Sequence, residues 1–151
     1  MIRIDKIELP LPGWEELRKE ARAEGYNFIE TLAVEWSTAA NRFDAAGETL
    51  LGVIDQGILA AVGGLNCDPF VADPKIGRLR RIYVRPNWRG RKLGEALVTA
   101  LVDRARAHFD TVRLRAENAG AARLYERLGF APIENPDATH ILHLFKSRLR
   151  A

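Results

Sequence analysis

Apolar residues along this chain change repeatedly between the spacing of a strand and the spacing of a helix, and that order restricts the fold. Helical spacing begins near Trp14, after Asn27, near Arg91 and after Asn118. The segments predicted as strands are residues 2–9, 48–54, 58–65, 76–84, 111–116, 130–133 and 139–146. The order β-α-α-β-β-β-α-β-α-β-β predicts a layered α/β domain with a mixed sheet.

The helix ends carry their own signals. Gly25 and Gly129 are placed to stop the first and fourth helices, and Asn118 is placed to cap the start of the fourth. Asn27 and Glu30 have the spacing of a capping pair at the start of the second helix. Behind them a helical apolar stripe is predicted through Phe28, Leu32, Trp36, Ala39 and Phe43.

Composition places the chain among ordinary water-soluble proteins. Its 151 residues suit one domain, predicted over 1–151, with 47% apolar and 28% charged residues. The apolar runs are too short to cross a bilayer, and the N-terminus lacks a signal-peptide core. The single cysteine, Cys67, cannot form an internal disulfide. We therefore expect a cytoplasmic protein with no membrane partner.

A basic, glycine-containing turn joins the strand ending at Val84 to the helix that begins near Arg91. The first amides of a helix lack internal partners and can bind an anion, while glycine lets a ligand approach the backbone and arginine adds a fork for phosphate oxygens. The turn matches neither of the common nucleotide-binding glycine motifs. Alone it also fits a solvated turn. The residues of the turn are Arg89, Gly90, Arg91, Lys92, Leu93 and Gly94.

A second segment makes the turn more specific. Residues 118–130 read N-x-x-A-x-x-L-Y-x-x-x-G-F, one strand and one helix after the turn. Together the two segments resemble the GNAT superfamily of N-acetyltransferases, whose first motif is Arg/Gln-x-x-Gly-x-Gly/Ala. The resemblance covers residues 79–130. Lys92 departs from it, since glycine is usual there, and a positive φ would cost lysine roughly 1 kcal/mol.

The resemblance implies a mixed, mostly antiparallel seven-stranded sheet with helices on both faces and a splay between the fourth and fifth strands. Acetyl-CoA would bind in that splay as co-substrate, with no metal. Tyr125 matches the family's general acid, although it also fits a core aromatic. The implied CoA-binding residues are Ile82, Tyr83, Val84, Arg89, Gly90, Arg91, Lys92, Leu93, Gly94, Glu95 and Asn118.

The implied reaction is transfer of an acetyl group to a primary amine, most simply on a small molecule, by direct attack on the thioester. The acceptor pocket is expected near residues 25–28 and 135–139. The general base is open among Glu117, His140, His143 and a water molecule, because residues 76–84 contain no carboxylate. The two histidines, three apart on a strand, make a poor metal pair.

Other interpretations stay open. A non-catalytic acyl-CoA-binding module would keep the phosphate turn without turnover, and a protein N-terminus or lysine would be a different acceptor. A nucleic-acid-binding domain would use the basic cluster between Arg78 and Lys92, but the net charge is only +3 and no recognition motif supports it.

Arg80 and Arg81 should lie on opposite faces of the strand, so that one of them faces the acceptor and favours a carboxylate, unless both are solvated rim residues. The acceptor, the acyl chain length and a homodimer are left open.

Overall fold

A computed structural model describes residues 1–144, and the elements follow the predicted order. The strands are β1 Ile2–Lys6, β2 Thr49–Asp55, β3 Ile58–Cys67, β4 Ile76–Val84, β5 Thr111–Leu114, β6 Ala131–Pro132 and β7 His140–His143. The helices are α1 Trp14–Ala23, α2 Phe28–Ser37, α3 Leu93–Ala105 and α4 Ala119–Arg127, with a 3-10 turn at Pro86–Trp88. Residues 145 and 146 of the last predicted strand lie outside the described residues.

The strands form one seven-stranded sheet in the order β1-β2-β3-β4-β5-β7-β6. Every neighbouring pair is antiparallel except β4 and β5, which run parallel. The predicted mixed, mostly antiparallel sheet is confirmed.

The parallel pair separates soon after it begins. β4 and β5 are in register from Ile76 opposite Thr111 to Arg78 opposite Arg113, and no pairing follows. Beyond Arg78, β4 continues to Val84 with its β5-facing edge unpaired. The predicted splay between the fourth and fifth strands is therefore present.

Helices cover both faces of the sheet, as predicted. On one face α1 and α2 bury Leu17, Ile29 and Leu32 in a cluster that includes Phe43. On the other face α3 buries Leu97 and Leu101 in a second cluster. Each cluster removes enough apolar surface from water to hold its helices on the sheet.

Two local predictions at the second helix are wrong. The Asn27 side chain makes no capping bond, because Asn27 has helical backbone angles instead of the extended ones of an N-cap. The Glu30 carboxylate accepts hydrogen bonds from Arg18 and Arg22 at 3.0 Å each. The helical stripe ends with α2, since Ala39 and Phe43 have φ of 63° and 55°. Phe43 reaches the core from a loop, where it fills space beside Gly64 that a Cβ there would occupy.

The end of α1 and both ends of α4 lie where the sequence predicted them. Gly25 and Gly129 have φ of 85° and 101°, in the left-handed region that stops a helix. Asn118 caps α4, with its Oδ1 accepting from the amide of Ala121 at 2.9 Å. None of the helices within residues 1–144 combines the length and the apolar character that a membrane crossing requires.

Candidate active site

The opening between β4 and β5 holds a cavity of about 410 Å³. Ile82, Tyr83 and Val84 line it from the end of β4, and Asn118 and Tyr125 line it from α4 and its cap. Because β4 pairs with β5 only as far as Arg78, main-chain groups on this edge are available to an extended ligand. The unpaired N–H and C=O groups of such a strand edge could form hydrogen bonds with the two amides of a pantetheine arm.

A second cavity, of about 360 Å³, continues from the first at the start of α3. The amides of the first turn of α3 have no intrahelical partner. Lys92, the N-cap of α3, makes no side-chain capping bond to them. Together with the helix dipole they form a site for an anion. The predicted residues that line this cavity are Val84, Arg89, Gly90, Lys92, Leu93, Gly94 and Glu95.

The turn has the backbone shape that its glycine pattern requires. Gly90 has φ of 81°, and Lys92 has φ of 60° where the family's motif usually has glycine. Lysine thus takes the left-handed conformation as the N-cap of α3. Arg91 lines neither cavity; its Nη2 donates to the carbonyl of Asn87 at 3.5 Å, and its Nη1 lies 3.9 Å from Asp55.

Arg89 is held by a carboxylate that sequence reasoning missed. Nη1 of Arg89 donates to Glu24 at 2.7 Å, and Nε donates to the carbonyl of Val84 at 3.1 Å. The hydroxyl of the buried Tyr83 donates to the same carboxylate. The hydrogen bond from Arg89 is the main reason that the pKa of Glu24 is lowered. Glu24 lies 65 positions from Arg89 in the chain, so no local motif indicates it.

Tyr125 stands between the opening and a third cavity of about 240 Å³, and it lines both. The residue is only 7% exposed, and its ring packs against Phe130 at a centroid distance of 5.7 Å. Burial, with a smaller effect from the charge of Glu117, raises the pKa of Tyr125 to about 12. The hydroxyl therefore stays protonated at neutral pH, as a proton donor must.

The structure separates the candidates for the general base. Glu117 lines both cavities beside Tyr125. His140 is buried with Nε2 at 2.8 Å from Glu126 and Nδ1 at 2.8 Å from Thr139, so both nitrogens are already engaged. His143 contacts the hydroxyl of Thr111 at 3.3 Å. Within residues 1–144, no three histidine, cysteine or acidic side chains are grouped as metal ligands would be.

The third cavity lies beside only some of the residues that were expected to surround an acceptor. Phe28 lines it and Tyr26 lines the adjoining opening, whereas Gly25 and Asn27 line neither. No residue of the predicted 135–139 loop lines this cavity, but two of the loop's carbonyls hold arginines that do. The Asp137 carbonyl accepts from Arg78 at 2.6 Å, and the Pro136 carbonyl accepts from Arg115.

The prediction that Arg80 and Arg81 lie on opposite faces is wrong. A bulge sets Arg81 and Ile82 opposite the single residue Gly63, and Arg81 has φ of 61°. The Arg81 guanidinium reaches Glu35 of α2 at 3.1 Å. Arg80 is the cross-strand partner of Gly64, which faces Phe43 on the same side. Both arginines therefore line the 240 Å³ cavity.

Comparison with known proteins agrees with this geometry. The model of the acetyltransferase (GNAT) family matches residues 12–130. No sequence among the curated proteins matches the chain. A crystal structure of an assigned acetyltransferase from Exiguobacterium sp. 255-15 is 24% identical, with a TM-score of 0.85 over 95% of this chain and 93% of that one.

Two further solved structures share the fold at greater distance. A GNAT-family acetyltransferase from Staphylococcus aureus Mu50 is 15% identical, with a TM-score of 0.73 over 95% of this chain and 99% of that one. The ribosomal-protein-S18-alanine N-acetyltransferase from Escherichia coli is 24% identical, with a TM-score of 0.66 over 93% of this chain and 89% of that one. With the family model matching most of its length, this chain belongs to the GNAT acetyltransferase family.

Proposed function

We propose that this protein transfers the acetyl group of acetyl-CoA to the primary amine of a small molecule, as a single acyltransferase domain over 1–151 that acts in the cytoplasm. The proposal rests chiefly on the position of Tyr125 in the wall shared by the β4–β5 opening and the 240 Å³ cavity. A donor in the opening and an acceptor in the smaller cavity would meet beside that hydroxyl.

Two parts of CoA, the diphosphate and the pantetheine arm, have a surface that suits them. The diphosphate would lie at the start of α3, against the amides of residues 93–95 and beside Gly90. The pantetheine arm would run along Ile82, Tyr83 and Val84 towards Asn118. Arg89 would contribute only the N–H groups that Glu24 and Val84 leave free.

The chemistry is a direct displacement. Glu117 takes a proton from the ammonium form of the acceptor, and the amine nitrogen attacks the thioester carbonyl carbon. A new C–N bond forms, the C–S bond breaks, and Tyr125 gives its proton to the departing thiolate. The second proton lost by the attacking nitrogen returns to the Tyr125 oxygen, so that the products are the neutral amide and the CoA thiol, and Glu117 releases its proton to solvent. The pKa of the phenol, about 12, keeps the Tyr125 hydroxyl protonated at neutral pH, so that it can donate a proton when the C–S bond breaks.

Cavity size favours a small acceptor over a protein. A volume of about 240 Å³ holds a compact molecule and leaves little room for a peptide chain. The Escherichia coli enzyme with the same fold acts, by its name, on the alanine of a ribosomal protein, so a peptide amine is the second acceptor class to test.

Thiol release from acetyl-CoA, measured with amino acids, aminoalkyl phosphates, diamines and an alanine-ended peptide, tests the proposal. We expect release with a small amine, and a product heavier by one acetyl group in mass spectrometry. Binding of CoA without release across the panel would leave the non-catalytic module as the function. Release with the peptide alone would move the acceptor to proteins.

A further inference from the structure

The 240 Å³ cavity beside Tyr125 is strongly basic. Among residues 1–144, four arginines line it, together with a single carboxylate, Glu117. These arginines are Arg78, Arg80, Arg81 and Arg115. Three come from one face of β4, which the bulge at Arg81 makes possible, and the fourth follows β5.

The surrounding carboxylates do not balance these charges. Asp68 is fully buried and is shared between Arg78 at 3.5 Å and Arg113 at 2.8 Å. Glu35 pairs with Arg81 at 3.1 Å. Arg115 donates to the Pro136 carbonyl, which carries no charge. Within residues 1–144, these contacts leave guanidinium charge in excess at the cavity.

Arg80 is the least satisfied of the four. It makes no ion pair or hydrogen bond with the part of the chain that the structure describes, and its Nε is buried without a partner. The Nε of Arg81 is buried without a partner as well. Desolvation is the main reason that the pKa of Arg80 is lowered, and the charge of Arg81 lowers it further against the opposing effect of Glu35.

We propose that the acceptor is a small primary amine that carries a carboxylate or a phosphate, and that Arg80 binds this anionic group with its amine directed towards Tyr125 and Glu117. The proposal rests on the acetyltransferase function proposed above. A guanidinium suits both anions, because its N–H groups match two oxygens of either group. Phe28 and Phe70 form the apolar walls, so the part of the acceptor between amine and anion should be short or aromatic.

The wild-type protein alone gives the first test. At fixed ionic strength we compare kcat/KM for an amino carboxylate, its uncharged amide, the aminoalkyl phosphate of equal length and a diamine. We expect the best anionic amine to exceed both its uncharged counterpart and the diamine by at least about tenfold. Equal or faster turnover of the uncharged amines would overturn the proposal, yet it would leave the acetyltransferase function intact.

The Arg80→Gln variant locates the effect. It should lower kcat/KM for the best anionic amine at least about tenfold, mainly through KM, and should lower kcat/KM for an uncharged amine by a clearly smaller factor, with the CoA affinity unchanged. Arg80→Lys should recover part of the loss, and the exposed Arg104→Gln, on the far end of α3, should behave as wild type. Equal losses for charged and uncharged amines would contradict an anion-binding role.

A binding measurement decides the matter if no amine in the panel reacts. With saturating CoA occupying the start of α3, inorganic phosphate and acetate are titrated into wild type, Arg80→Gln and Arg104→Gln. We expect one of the two anions to bind wild type and Arg104→Gln at least about fivefold more tightly than Arg80→Gln, and the stronger anion identifies the group on the acceptor. Equal binding by all three proteins would overturn the proposal, and absence of CoA binding would instead refute the proposed function.

Discussion

Arg89 of the phosphate turn and Glu24 at the end of α1 are joined at two points, with Nη1 to Oε2 at 2.7 Å and Nη2 to Oε1 at 2.5 Å. This pair fastens the first helix to the turn that would hold the CoA diphosphate. It also places a negative charge beside an anion site. We therefore expect Glu24 to stabilise the fold and to weaken the binding of an anionic ligand.

Glu24→Gln should tighten CoA binding about two- to fivefold, because it removes a like charge from the phosphate site and releases N–H groups of Arg89. Calorimetric titration with CoA measures the change, and raising the salt concentration should shrink it. Glu16→Gln, an exposed change on the same helix, is the matched control. Unchanged or weaker binding would show that Glu24 does not compete with phosphate.

Glu24→Gln should also change how the free energy of unfolding depends on pH. The lowered pKa of Glu24 means that its carboxylate stabilises the folded state above the unfolded value of about 4.3, and that this contribution is lost as pH falls through the folded pKa. Wild type should therefore be more stable than Glu24→Gln at pH 7, and the two should converge in acid. Urea unfolding from pH 7 to pH 3 tests this, and a constant difference would exclude the linkage.

Tyr125→Phe should lower kcat about a hundredfold while leaving the CoA affinity nearly unchanged, because the ring keeps its packing against Phe130 and only the proton donor is lost. Steady-state rates and calorimetry check the two halves of this prediction. Since the pKa of Tyr125 is about 12, the hydroxyl should cause no alkaline loss of rate below pH 10. Full activity in the phenylalanine variant would remove Tyr125 from the mechanism.

Glu117→Gln should lower kcat at neutral pH by about tenfold or more, since the acceptor ammonium loses its proton acceptor. The deficit should narrow as pH rises, because an increasing share of the amine is already deprotonated in solution. A pH–rate profile measures this, with the exposed Glu134→Gln as control. A deficit that stays constant with pH would assign Glu117 a positioning role.

Residues 90 and 92 offer a paired test of the turn. Gly90→Ala places a methyl group in open space at φ of 81°, so its cost is conformational, about 1 kcal/mol or roughly 2–4 °C in Tm. Lys92→Gly removes the strain of a side chain at φ of 60° but also raises the conformational entropy of the unfolded chain. We therefore expect the free energy of unfolding to rise by less than about 1 kcal/mol. Thermal unfolding of both variants decides whether the turn keeps this shape. A neutral Gly90→Ala would contradict it.

Much of the fold was predictable because its signals are local. The bounds of β4 at Ile76 and Val84 and the cap at Asn118 follow from alternation, proline and side-chain chemistry within a few residues. Phe43 was misassigned because its apolar spacing fits a helix, whereas its burial depends on the space beside Gly64, which is 21 positions away.

The candidate site was predictable only where its residues belong to a local motif. Motifs indicated the phosphate turn and Tyr125, both of which line the cavities. The bulge at Arg81 reversed the expected side of that arginine, and alternation alone carries no signal for a bulge. Glu24 and Asp68 reach their arginines through tertiary packing, so no spacing in the sequence indicates them.

Calorimetric titration of the wild-type protein with acetyl-CoA tests most directly whether the separated edge of β4 and the start of α3 form a donor site. We predict one molecule bound per chain, with a dissociation constant in the micromolar range and an affinity that falls as salt rises. Absence of heat or saturation with millimolar acetyl-CoA, from protein shown to be folded, would contradict the account.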